Sequence, residues 1–217
     1  MNRSLATLLS LALFALPVLG SLIWFVIGYN GLVDREEEVL ASWAQVESGY
    51  QRRGDLIPNL VETVNAYAAH ERETLGELTT LRARATQLQE ERQRVDALFE
   101  GAAAQLENEQ FMRQLAQNHQ QLGARIRELV VSVEDYPALR ASDQFLALQA
   151  QLEGTENRIH VARTLFNERV GTFNAAIRRL PGSLIAGAGN FHRKAYFRAE
   201  EGHEDVVDVD FRRPAAE

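Results

Sequence analysis

Leu5 to Gly28 is the stretch that most limits what this chain can fold into, because no charged residue falls between Arg3 and Asp34. An α-helix needs about 20 apolar residues to cross a bilayer. Trp24 and Tyr29 stand toward the far end, where interfacial aromatics gather. Pro17, in the middle, is tolerated in a membrane helix, where neighbouring groups satisfy the freed carbonyl. A cleavable signal peptide is the competing reading and fits less well. Its apolar region spans only about 7–15 residues, and Val18-Leu19-Gly20 makes a weak small-residue site. Residues 1–28 are therefore read as a retained anchor with a soluble body tethered to it. Arg3 on one flank and Arg35 on the other leave the direction of crossing open.

The chain beyond the anchor is long enough for one domain with its own core. The net charge of −7 disfavours nucleic acid as a partner, since that role needs a basic footprint. The chain has no cysteine, so disulfides, thiol nucleophiles and Cys-ligated zinc are excluded. No proline falls between Asn59 and Tyr136, as expected of a helical protein.

From Leu32 the apolar residues Val39, Leu40, Trp43, Val46 and Tyr50 keep a three-and-four spacing, one buried helix face. Gly54-Asp55 reads as a stop and restart, with Pro58 in the next first turn. The alternative there is one kinked helix. A second helix carries Leu60, Val61, Val64, Tyr67, Leu75, Leu78, Leu81 and Leu88, and a hairpin is expected between Gln87 and Gln110. The third carries Leu115, Leu122 and Leu129 beside Met112, His119, Ile126 and Val133, ending at Tyr136-Pro137. The fourth repeats Phe145, Leu152, Ile159, Phe166 and Phe173 every seven residues, a narrow seam of coiled-coil type. The expected fold is all-α: a single N-terminal transmembrane helix and then a long antiparallel four-helix bundle over residues 29–180. A small-residue and aromatic-basic segment occupies 181–197 and an acidic tail 198–217, where Val207 to Phe211 alternates weakly like a strand. With these boundaries helices two to four come out longer than the first by about ten residues, or about 15 Å.

No catalytic, metal or cofactor-binding residue is assigned. His70-Glu71 lacks the second histidine of a zinc helix, since Thr74 stands one turn on. Glu156 and His160 have no matching pair on another helix, and His119 reads as a core histidine. Gly182, Gly187 and Gly189 lack the lysine and strand of a phosphate loop.

Two sets of residues stand out. Glu156, His160, Arg163, Asn167 and Asn174 run beside the apolar seam of the fourth helix. Asparagine is a poor helix former, so these are candidates for a polar core network with Asp55, Asn59 and Glu71; a solvated face is the alternative. The second set is Arg178, Arg179, Phe191, Arg193, Lys194, Tyr196 and Phe197. Counting helix directions brings this cluster back to the membrane. There it either contacts headgroups, each basic residue giving about 1 kcal/mol near an anionic surface, or folds back to cap the bundle.

Tyr29-Asn30-Gly31-Leu32-Val33, Glu36-Glu37, Trp43-Ala44-Gln45-Val46-Glu47 and Tyr50 through Val61 resemble the opening of the LemA family. The resemblance continues through Tyr136-Pro137, Thr155-Glu156-Asn157, Ala162-Arg163, Phe166-Asn167, Phe173-Asn174, Pro181, Leu184-Ile185-Ala186 and Tyr196-Phe197. Phe166 and Phe173 depart from it where the family often has tyrosine, and the region from Gln87 to Gln110 is longer and more charged. The resemblance implies a bacterial membrane protein with one N-terminal span, a helical bundle and no known enzymatic activity; one branch of the family is associated with magnetosome membranes. The expectation is a non-enzymatic, single-pass scaffold of the bacterial cytoplasmic (inner) membrane. It would self-associate as a homo-oligomer or recruit a protein partner through its acidic tail, with the lipid bilayer as its other partner and no nucleic acid. The alternative is an adaptor or regulator of a membrane protease or envelope-stress pathway.

Overall fold

The computed structural model describes residues 3–70 and 75–197, with side chains placed for 13–67 and 79–197. All regular structure among these is helical. The helices are α1 (Arg3–His70), α2 (Leu75–Phe99), α3 (Glu109–Ser132), the short α4 (Pro137–Arg140), α5 (Asp143–Arg178) and α6 (Gly182–Gly189). Two 3-10 turns, Ala102–Gln105 and Val133–Asp135, lie before α3 and after it.

α1 is one unbroken helix of 68 residues, apolar at its start and amphipathic beyond Leu32. The stop expected at Gly54-Asp55 does not occur. Gly54 is buried inside the helix, and a Cβ there would lie 3.2 Å from the Asp96 carboxylate, so the glycine marks a close approach of α2. Pro58 costs α1 a hydrogen bond to the Gly54 carbonyl, about 3 kcal/mol in an isolated helix. Ile57 and Leu60 beside it are fully buried, and their packing carries the helix through. With α1 running on to His70 rather than stopping at Gly54, the later helices no longer overshoot it: α2 and α3 have 25 and 24 residues.

The second reversal is compact. Phe99 ends α2, Gly101 takes a left-handed conformation with φ 78°, and Asn108 caps α3 by accepting from the backbone N–H groups of Gln110 and Phe111. Ser142 caps α5 in the same way through the Phe145 N–H. α5 runs antiparallel to α1. Arg169 pairs with Glu38 at 3.0 Å, Ile159 packs at Gly49, and Arg53 meets Glu156 at 3.0 Å. α2 lies on α1, and α3 lies on α2 with Arg125 on Glu91.

The seam of α5 is buried as its spacing requires: Phe145, Leu152, Ile159, Phe166 and Phe173 all face inward. The core divides in two. A cluster near the apolar end of α1 holds Trp43, Val46, Met112, Phe166 and Phe173, and a distal one holds Ile57, Leu60, Leu88, Leu129 and Phe145.

A helix stop and a helix interior respond oppositely to alanine. Gly54→Ala is expected to leave stability unchanged or raise it by up to about 1 kcal/mol, because alanine is the better helix former and the Asp96 side chain can move aside. Gly49→Ala is expected to lose about 1–3 kcal/mol, since its Cβ would lie 2.9 Å from Ile159. Denaturant unfolding of both variants checks this.

Candidate membrane-proximal site and buried polar layer

α5 ends at Arg178 beside the point where α1 leaves its apolar stretch. α6 then lies across that point, with Ile185 against Gly28 and Gly189 beside the Tyr29 ring. Ile185 and Ala186 turn inward, while Leu184 and the preceding Leu180 stay 67% and 77% exposed. Asn190, left-handed at φ 58°, reverses the chain into an extended strap that climbs back along α5.

Two asparagines hold the strap. Asn174 accepts from the Lys194 N–H at 2.9 Å and donates to the Lys194 carbonyl at 2.8 Å. Asn167 does the same for Phe197, at 2.9 and 2.8 Å. The spacing explains why two suffice. Seven helical residues rise about 10.5 Å, and three extended residues span about 10 Å. Ala195 adds a third tether, its N–H donating to the Leu106 carbonyl at 2.7 Å.

Side chains lock the strap laterally. Phe197 is buried, stacked on Trp43 at 5.8 Å and edge-on to Phe166 at 5.7 Å, with the Arg163 guanidinium 5.0 Å over its ring. Phe191 sits between Tyr29 and Phe173. Lys194 bridges Glu36 at 2.7 Å and Glu107 at 2.8 Å. Burial alone would push its amine pKa down, but the hydrogen bonds to Glu107 and Glu36 carry it above the usual lysine value.

The basic-aromatic cluster is therefore split. Arg178, Arg179 and Arg193 are exposed near the base, whereas Phe197 and Lys194 are taken up inside the body, and Phe191 and Tyr196 are half-buried. The last four do not form an exposed headgroup surface, because each ring packs on α1 or α5 and the amine is held by two carboxylates. Lys194 and Phe197 meet Asn174 and Asn167 through main-chain atoms, so nothing in their side chains announces those bonds.

The expected polar network is also redrawn. Asp55 and Asn59 are exposed, and Glu71 lies outside the described residues. Asn167 and Asn174 serve the strap. Glu156 belongs instead to a layer between the two hydrophobic clusters, where buried Arg53 donates to it at 3.0 Å and to His119 Nδ1 at 2.6 Å. An arginine has only donors, so Nδ1 is the acceptor and the ring proton sits on Nε2. Tyr50 stacks on the imidazole at 3.4 Å. Burial first, then the charges of Arg53 and Arg163, hold the His119 pKa well below its ordinary value. Burial likewise raises that of Tyr50. Arg53 was the residue missed, and its phase was visible: it stands on the series Val46, Tyr50, Arg53, Ile57, Leu60.

Among the described residues, no group of three or more His, Cys, Asp or Glu is placed to hold a metal. The contacts described grip a backbone and fix helix register.

A model of the LemA family matches residues 42–211. Magnetosome protein MamQ of Magnetospirillum gryphiswaldense is 25% identical over 214 residues, covering 92% of this chain and 75% of that protein. Magnetosome proteins MamQ 1 and MamQ 2 of Paramagnetospirillum magneticum are each 24% identical over 207 residues, covering 88% of this chain and 72% of theirs.

The strap and the polar layer can each be tested by one substitution. Asn174→Ala leaves the Lys194 N–H and carbonyl without partners, a loss of about 1–3 kcal/mol; hydrogen exchange should rise across 191–197 and spare α2 and α3. For His119, a folded pKa below about 6.5 means the unfolded chain takes up the proton first. Stability should therefore fall as pH drops below about 6.5, by up to about 1.4 kcal/mol per unit. His119→Gln should remove that component, read by denaturant unfolding at neutral and mildly acidic pH.

Proposed function

The chain belongs to the LemA family, and from that premise we propose that it is a single-pass scaffold of the bacterial cytoplasmic membrane. In this reading α1, α2, α3 and α5 form one antiparallel four-helix bundle, and Leu5 to Gly28 is its retained span. The scaffold acts without catalysis, by associating with copies of itself or with partners and so organising membrane. The observation that carries this reading is the continuity of α1 from the apolar stretch to His70. No loop separates span from body, so about 60 Å of helix beyond Gly28 is held at the angle set by the span. A rigid post of this kind transmits lateral association of its body directly into the arrangement of its spans. The MamQ relatives are named magnetosome proteins, which supports a membrane role for this chain.

An adaptor for a membrane protease or envelope-stress pathway is the second reading, favoured by the place where the strap ends. Phe197 is fixed beside Trp43, about 22 Å along α1 from Gly28, and the acidic residues 198–217 continue from there.

One experiment separates the readings. The full chain is extracted in mild detergent and its mass measured, beside a form ending at Phe197. The scaffold reading expects an oligomer, or a partner held by the body, in both forms. The adaptor reading expects a co-purifying partner that disappears with the tail while the body stays folded. A strict monomer without a partner in either form overturns both.

A further inference from the structure

The base of the body carries exposed groups that neither the strap nor the polar layer uses. Leu180 and Leu184, four residues apart, are among the most exposed large apolar side chains outside the span. α6 is fixed at the level of Gly28 and Tyr29, and every described side chain of α1 before Gly28 is exposed and, save Ser21 and Gly20, apolar. The outward face of α6 is therefore continuous with the surface that a bilayer must cover. Beside it opens a groove of about 650 Å³ whose walls include Ala175, Ala176 and Leu180, and whose charged residues are Arg35, Arg179 and Glu168. Arg35 donates to the Gly31 carbonyl, one turn back toward the span, as helix side chains lean toward the N-terminus. Arg179 stands at the end of α5 next to Leu180, whereas Glu168 lies about three turns higher on that helix, at the side of the groove away from the span.

We propose that α6 is a second membrane-contact element, with Leu180 and Leu184 entering the acyl boundary, and that the Arg35–Arg179 groove receives the phosphate of an anionic phospholipid. The two guanidiniums outnumber the single carboxylate, and their forked donors suit a phosphodiester. Ala175, Ala176 and Leu180 suit the glycerol and upper acyl chain of the same molecule, so a lipid fits the groove better than a free phosphate. The inference rests on Leu5 to Gly28 being a span and adds a lipid class and a site to it.

The chain has no cysteine, so single substitutions give unique labels. Leu184→Cys and Leu146→Cys each carry a nitroxide in the full chain, reconstituted in vesicles of phosphatidylethanolamine and phosphatidylglycerol. Position 146 is exposed near the far end of α5. The ratio of oxygen to nickel-chelate accessibility should be several-fold higher at 184 than at 146. Equal ratios would put α6 in water, and shielding of 184 from both reagents would put a protein surface against it; either overturns the membrane contact of α6. For the groove, lipids retained through mild detergent extraction are counted by native mass spectrometry. The wild type should keep phosphatidylglycerol several-fold over phosphatidylethanolamine, and Arg35→Gln with Arg179→Gln should lose that preference while keeping its helical content. Equal retention in the wild type overturns the headgroup site, and glycerol 3-phosphate displacing the lipid overturns the assignment of a lipid over a free phosphate. Neither readout depends on self-association, and carbonate extraction reports separately whether the span is in the membrane.

Discussion

The antiparallel contact of α1 with α5 is the interaction on which the other parts depend. Trp43 and Val46 on one side share a cluster with Ile159, Phe166 and Phe173 on the other, and Ile57 and Leu60 share the distal one with Phe145 and Leu152. Burial of this seam carries α1 unbroken past Pro58, a position where propensity alone would end a helix. It also returns α5 to the apolar end of α1. α6, the strap and the groove at Arg35 exist only because that return is complete. A chain in which α1 turned at Gly54 would bring α5 back at a different height, and Ile185 would have no Gly28 to meet.

Two aliphatic-aromatic clusters could slide past one another by a helical turn at modest cost. The layer of Arg53, His119 and Glu156 resists that, because a guanidinium moved out of step is left buried without its acceptors. Its partner Glu156 is 55% exposed, so the pair itself adds little net stability. The layer works as a register mark between the clusters. The strap adds a second mark nearer the apolar end of α1, through bonds that depend on the height of Asn167 and Asn174 along α5.

Much of this was legible in the residues. The seven-residue repeat of α5 and the two series of α3 pointed to their buried faces, and His119 sat among apolar neighbours as a core residue does. The asparagines were conspicuous as poor helix formers, but their partners were not, since a main-chain N–H and carbonyl look the same at every position. Gly54 misled for a related reason. Glycine marks both a helix end and a close helix contact, and only the position of Asp96 on α2 distinguishes them.

By itself the sequence determined the helical class, the apolar stretch and most of the inward faces, because periodicity is a property of side chains counted along one chain. Only the tertiary structure decided that α1 runs past Gly54 before the first reversal, which aromatics of the last segment are buried, and that Arg53 pairs with a residue 103 positions away. Those outcomes depend on what stands opposite each group in space, and for Lys194 and Phe197 the opposing atoms decide whether a basic-aromatic run faces lipid or the core.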